Sequence, residues 1–198
     1  MVRRQLFTGL KVTIALLVLT AGVYPAAVWA VGQVAFKPQA NGSFVKANGK
    51  VVGSSLIGQS FSDKDGNPFP RYFQPRPSEH GYDATNSGGS NLGPSNPKLV
   101  DAVGQRVVAY RQFNGLAADA TVPVDAVTES GSGLDPDISV ANALLQAPRV
   151  ARERGLPVTA VVNLVHEHSN GRQWGILGEK TVNVLDLNLA LDRLSPPG

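Results

Sequence analysis

The sequence predicts an α+β chain, with one N-terminal transmembrane helix followed by a single mixed α/β extracytoplasmic domain. Three observations carry this. The 25 residues from Val12 to Phe36 hold no charged side chain. The rest of the chain mixes helix-period and strand-period apolar patterns. Its 21 glycines and 14 prolines exceed the ordinary combined usage of about 12%, which marks long ordered loops.

At about 1.5 Å per residue, a helix over 12–36 reaches roughly 37 Å, more than the roughly 30 Å of a hydrocarbon core. Val12 to Val23 is aliphatic on every face, Trp29 lies where an interfacial aromatic sits, and Pro25 predicts a kink. Arg3, Arg4 and Lys11 precede the apolar run, and the first acidic residue is Asp63. This asymmetry predicts residues 1–11 in the cytoplasm, 12–36 as the anchor and 37–198 outside, in a bacterial periplasm. Two other readings share the pattern. Val28-Trp29-Ala30 loosely fits a signal-peptide cleavage site, and Arg3-Arg4-Gln5-Leu6-Phe7 echoes a twin-arginine signal. The length of the uncharged run and the bulk of Trp29 favour an uncleaved anchor.

Three of the 18 Lys and Arg lie before Val12, leaving 15 against 15 Asp and Glu. A formally neutral outer domain lacks the basic stripe of a nucleic-acid binder. The chain has no cysteine, which excludes disulfides and thiolate metal sites.

Taken in order, Phe44–Lys46 and Lys50–Val52 read as a hairpin turned at Asn48-Gly49. Ser54 to Phe61 reads as extended. Asp63 to Asn67 reads as a surface turn, since it lacks the spacing and closing glutamate of a calcium loop. Pro75 and Pro77 hold Tyr72 to Ser78 extended. Asn96 caps a helix with Pro97 at its first position, and Leu99, Val103, Val107 and Tyr110 give it one buried face to about Asn114. Val122 to Thr128 reads as a short edge strand. Ser139 caps a helix through Leu145, and Pro148 starts a separate turn, Arg149 to Arg154, closed by Gly155. Val158, Val161, Val162 and Val165 share a helical face, with a strand as the alternative. Trp174–Leu177 and Thr181–Leu185 read as the last strands, and Leu187–Leu194 as a closing helix.

The chain carries no G-x-x-x-x-G-K-[ST] loop, no D-K-T-G phosphorylation sequence and no T-V-G-Y-G filter. His166-Glu167-His168 is not H-E-x-x-H, and histidines at i, i+2 diverge on a helix. No G-x-S-x-G elbow supports a hydrolase triad. No catalytic or metal-ligating residues are therefore assigned. The informative features are two Gly/Ser loops, 85–97 and 129–136, whose backbone could cradle an anion, admit a partner closely, or simply connect elements. Gly131-Ser132-Gly133 lacks the third glycine of a dinucleotide site.

At these loops the sequence resembles the KdpC family, the C subunits of bacterial Kdp potassium-transporting ATPases. The resemblance runs through Tyr72-Phe73, Arg76-Pro77-Ser78, Tyr82, Ser87, Gly89 to Pro97, Pro123 and Asp125. It continues through Ser130 to Ile138, Gln146, Arg149-Val150-Ala151 and Val182 to Leu191. With the anchor it covers nearly the whole chain. Glu79-His80-Gly81 departs from it where smaller residues are expected.

The resemblance implies a noncatalytic subunit of a high-affinity potassium uptake pump in the bacterial inner membrane, in contact with membrane lipid. The expected partners are the channel-like KdpA and the ATP-hydrolysing KdpB, with the small subunit KdpF. ATP and K+ are then used by the complex, and neither is assigned as bound to this chain. The family is described as a catalytic chaperone that raises the ATP affinity of the ATPase subunit, through a likeness to an ABC-transporter signature. The matching positions here are Ser130, Gly131, Ser132, Gly133 and Gln146. The predicted orientation puts them across the membrane from the nucleotide, so the expected effect on ATP is indirect. Arg76, Ser90, Asn91 and Asn96 are the expected partner contacts, though each could equally hold its own loop. A stand-alone anchored periplasmic binding protein, and a secreted soluble protein, are the competing readings.

Overall fold

The structure, a computed structural model, describes residues 2–196. The outermost residues of the predicted flanking segments, Met1 and Pro197-Gly198, lie outside the described residues. The chain divides into two compact units, Met1–Phe44 and Val45–Gly198.

The first unit is dominated by one continuous helical run, Val2–Ala35, of 34 residues, long and apolar enough to cross a membrane. It comprises α1 (Val2–Leu17), a wider π-helical turn at Val18–Val23 and α2 (Tyr24–Ala35). None of its described residues is buried. The helix starts ten residues before the charge-free run and includes Arg3, Arg4 and Lys11. Pro25 does not break it: the widened turn lies just ahead of the proline, where the lost N–H and the ring clash with the preceding turn must be accommodated. A single turn, α3 (Lys37–Ala40), follows.

Strands β1 (Phe44–Ala47) and β2 (Lys50–Ser54) form the predicted hairpin, with positive φ at both Asn48 and Gly49 as a two-residue primed turn requires. The next stretch is not extended throughout. It turns at Ser54, where Ile57 N donates back to the Ser54 carbonyl. Asp63 to Asn67 is the expected surface turn, its carboxylate accepting from the N–H groups of Asp65 and Asn67. Helix α4 (Pro97–Asn114) has the predicted bounds, with the Asn96 side chain accepting from Lys98 N and Gly115 closing it at φ +66°.

A three-stranded antiparallel sheet, in the order β3-β5-β4, backs the core. It is built from β3 (Asp137–Ser139), β4 (Ser169–Asn170) and β5 (Thr181–Asn183). Ile138 faces Val182 across β3 and β5. Two of these strands end in the cap of a helix. Ser139 accepts from Asn142 N at the start of α5 (Val140–Arg154), and Asn183 accepts from Asp186 N at the start of α7 (Val184–Leu194). Helix α6 (Val158–Glu167) lies between them in sequence and packs on α5, burying Val161 and Val165. The core joins Phe73, Ile138 and Val182 to the apolar faces of α5, α6 and α7.

Four sequence expectations are corrected here. Val122–Thr128 is not a strand: Val124–Ala126 is a 3-10 turn that lets the Asp125 carboxylate accept from both the N–H and the hydroxyl of Ser139. Helix α5 is not broken at Pro148, because Ala143, Ala147, Val150 and Ala151 bury one unbroken face, which outweighs one missing backbone bond. Trp174–Leu177 is not a strand but a tight turn closed by Gln173 N on the Leu177 carbonyl, with positive φ at Trp174 and Gly175. The last strand stops at Asn183 rather than Leu185, since Asn183 caps a helix that buries Val184, Leu185 and Leu187.

The element that ties the domain together is none of these. It is the strap Pro70–Pro77, which leaves a turn at Pro70–Tyr72 and, among the described residues, pairs with no strand. Its backbone groups are satisfied by buried side chains. The Asn188 amide accepts from Phe73 N (2.9 Å) and donates to Phe73 O (3.0 Å). The Gln146 amide does the same for Gln74, at 2.7 and 3.0 Å. Arg149 donates to the Pro70 and Tyr72 carbonyls, and Arg154 to the Arg71 carbonyl at 2.7 Å. Replacement Asn188→Ala strands both backbone groups of a fully buried residue, so a loss of about 2–4 kcal/mol is expected in urea denaturation of the full chain in detergent. An unchanged midpoint would show that the strap needs no clamp.

Candidate functional site

The two Gly/Ser loops are locked to each other. Ser78 Oγ donates to the Gly133 carbonyl at 2.7 Å, while Ser87 Oγ and Gly88 N both donate to the Ser132 carbonyl, at 3.0 and 2.9 Å. Arg76 bridges the strap to the second loop, with Nη1 on Asp135 Oδ2 at 2.8 Å and Nη2 on the Glu129 carbonyl at 3.1 Å. Glu129 reaches back: its carboxylate accepts from Ser90 N and pairs with Arg106 on α4. Glycine is required where the loops meet. A Cβ on Gly133 would lie 2.5 Å from the Gly88 carbonyl oxygen, and Gly133 itself has φ +65°.

The electrostatics follow from this enclosure. Burial raises the Glu129 pKa, but the hydrogen bonds from Arg106 and Ser90 more than offset it and hold the carboxyl below its ordinary range. Burial pushes the Tyr82 hydroxyl up, with the Asp135 charge adding to it and Arg76 opposing. That hydroxyl donates to the Arg76 carbonyl. Burial lowers Arg149 to about 10, so it stays charged at neutral pH. Among the described residues no carboxylate pairs with it. Its Nε donates to Asn114 Oδ1, its Nη2 to Gln146 Oε1, and its guanidinium lies 4.3 Å from the centre of the Phe113 ring.

The predicted site residues are distributed over this framework as follows. Arg76 and Ser90 converge on the loop that holds Ser130, Gly131, Ser132 and Gly133. The Ser132 carbonyl accepts from the opposite loop and the Gly133 carbonyl from Ser78, and two of the N–H groups that an anion would need are occupied internally, Gly133 N on Ser130 O and Leu134 N on Ser132 Oγ. Gln146 is not at this loop. Both its N–H donors and both its oxygen lone pairs are engaged, by Gln74 N and O, Asn142 Oδ1 and Arg149 Nη2. Asn96 is the α4 cap. Asn91 is exposed at φ +54°, its amide donating to the Gly89 carbonyl.

His166 and Glu167 lie exposed at the end of α6, and among the described residues no cluster of three His, Asp or Glu could hold a metal ion. Sequence reasoning missed the roles of Asn188, Asn142 and Arg149. An amide inside the apolar repeat Leu187-Asn188-Leu191 is the signal that could have found the first. A buried polar side chain on a core-facing helix stripe must satisfy something.

The fold and the loops define a class: an α/β domain that follows one long apolar helix, its surface loops braced against a side-chain-clamped strap. The comparisons make the family specific. A family model described as "K+-transporting ATPase, c chain" (KdpC) matches residues 6–193. The "Potassium-transporting ATPase KdpC subunit" of Mycobacterium tuberculosis is 55% identical over 194 residues, covering 97% of this chain and 100% of that protein. The subunit of the same name from Rhodospirillum rubrum is 50% identical over 195 residues, covering 98% and 97%, and that from Koribacter versatilis is 48% identical over 197 residues, covering 98% and 97%. The chain belongs to the KdpC family.

The site generates a pH prediction. Glu129 has a folded pKa below its unfolded one, so the stability it adds is complete above the ordinary carboxylate range. That stability is lost as pH falls through the range toward the lowered folded value. Melting temperatures measured from neutral pH downward should fall less steeply for Glu129→Gln than for the parent chain. Equal acid-side slopes would mean that the loop lock does not depend on this charge.

Proposed function

We propose that this chain is the noncatalytic C subunit of a high-affinity potassium uptake ATPase, held by its apolar helix in a bacterial inner membrane with the α/β domain on the periplasmic side. Its partners are the channel-like KdpA and the ATP-hydrolysing KdpB, with KdpF, and its role is to join and stabilise them. The observation that carries the reading is end-to-end similarity to KdpC subunits, spanning anchor and domain alike. The absence of any phosphate-binding loop, phosphorylation sequence or potassium filter in the chain supports an accessory role.

The ATP affinity of the assembly is raised indirectly, through contacts that differ between two states of the pump. Two features support this over direct contact. The Gln146 amide has no free donor or acceptor, and in the Ser130–Gly133 loop the carbonyls of Ser130, Ser132 and Gly133 and the Gly133 N–H are bonded inside the domain. Asn91, exposed in a left-handed conformation, is the predicted contact residue least engaged with the rest of the domain.

Two experiments test the reading. The chain, tagged at its C-terminus and expressed from its native operon under potassium starvation, should co-purify in mild detergent with the other subunits and with potassium-stimulated ATPase activity. A chain that purifies alone would contradict it. The chain has no cysteine, and Gly131 is exposed with open space at its Cβ. Gly131→Cys should therefore react with a membrane-impermeant maleimide applied outside intact spheroplasts. Labelling only after lysis would place the loop in the cytoplasm and revive direct ATP contact.

A further inference from the structure

Between α4 and the strap lies a cleft of about 890 Å³, within the range of pockets that hold ligands. Its lining is more apolar than polar. Pro75 and Pro77 contribute from the strap, and Tyr82, Tyr110 and Phe113 contribute aromatic rings. The two tyrosine hydroxyls are already bonded inside the domain, Tyr82 to the Arg76 carbonyl and Tyr110 to Asn142 Oδ1. The rings are thereby fixed in place. Prolines and aromatics on a preformed wall suit an extended peptide, which gives up little conformational freedom on binding such a surface.

The charges in the lining are of one sign. Arg76 and Arg106 line the cleft, whereas no Asp or Glu does among the described residues. Their partners, Asp135 and Glu129, are not part of the lining. Both guanidiniums keep part of their surface exposed, 23% and 30% of their side chains. Each guanidinium is already paired, so an occupant's carboxylate would accept from the N–H groups that these pairs leave facing the cleft, while a cationic occupant finds no carboxylate in the described lining.

We propose that this cleft receives an extended apolar segment bearing one carboxylate, supplied by another subunit of the pump. The carboxylate sits between Arg76 and Arg106, and the apolar residues lie against the prolines and aromatic rings. The proposal rests on the reading of the chain as an ATPase subunit and assigns its contact to a surface distinct from the exposed tip at Asn91.

Ala109 gives a clean test, because it lines the cleft from the exposed side of α4. Ala109→Trp fills the cleft and Ala109→Glu adds a like charge to the carboxylate, whereas Ala109→Lys reinforces the cationic wall. Each is made in the full chain, expressed with the whole operon and purified through its tag. Ala109→Trp and Ala109→Glu should retain at least about tenfold less partner subunit at a fixed detergent wash, with Ala109→Lys at the parental level. A photoreactive phenylalanine at position 109 should crosslink to a partner segment that contains Asp or Glu among apolar residues.

Parental retention by all three variants overturns the proposal and leaves the subunit reading intact. So does a crosslink confined to this chain, to lipid, or to a partner segment without a carboxylate. Failure of the parental chain to hold any partner overturns both.

Discussion

Four buried side chains hold the strap Pro70–Pro77, and the rest of the domain depends on that hold. An extended segment in a protein core normally satisfies its backbone in a sheet. This one has prolines at 70, 75 and 77 and no neighbouring strand, so amides and guanidiniums take the strand's place. Asn188 from α7 and Gln146 from α5 pair with successive residues, Phe73 and Gln74, as two strands would. Arg149 and Arg154 complete the carbonyls behind them. Removing one partner leaves desolvated groups on both sides, which is why such a network stands or falls together.

The strap then positions everything that faces outward. Arg76 lies two residues beyond Gln74 and reaches Glu129 and Asp135, so the fixed backbone sets where the second loop docks. Glu129 passes that constraint on to Ser90 and to Arg106 on α4, which closes the ring around the cleft. The same arithmetic decides between readings of Gln146. A side chain with four hydrogen-bonding positions and four partners inside the fold has none left for a nucleotide.

Some of this was legible in the sequence. Asn48-Gly49 and Asn96-Pro97 act through local backbone chemistry, and the hairpin and the start of α4 follow from them as read. Pro148 and Val122–Thr128 misled because tertiary burial and one carboxylate, Asp125, overrode local preference. The apolar run Trp174–Leu177 has the composition of a strand but forms an exposed turn, with Trp174 89% accessible. At the candidate site, the mutual lock of the two loops was not legible. A pairing across 45 residues, such as Ser87 with Ser132, leaves no periodic trace in the chain. The clamp was hidden for the same reason, since Asn188 and Gln146 find their partners more than 70 residues away.

The most direct test of this account is amide hydrogen exchange at Phe73 and Gln74 in the full chain. Neither residue lies in a helix or strand. If the side-chain clamp is the constraint on which the domain depends, both amides exchange as slowly as those of Val150 in α5 and Leu191 in α7, through global unfolding alone. Exchange at the rate of the surface turn around Asp65 would contradict it, and would show that the core stands without its strap.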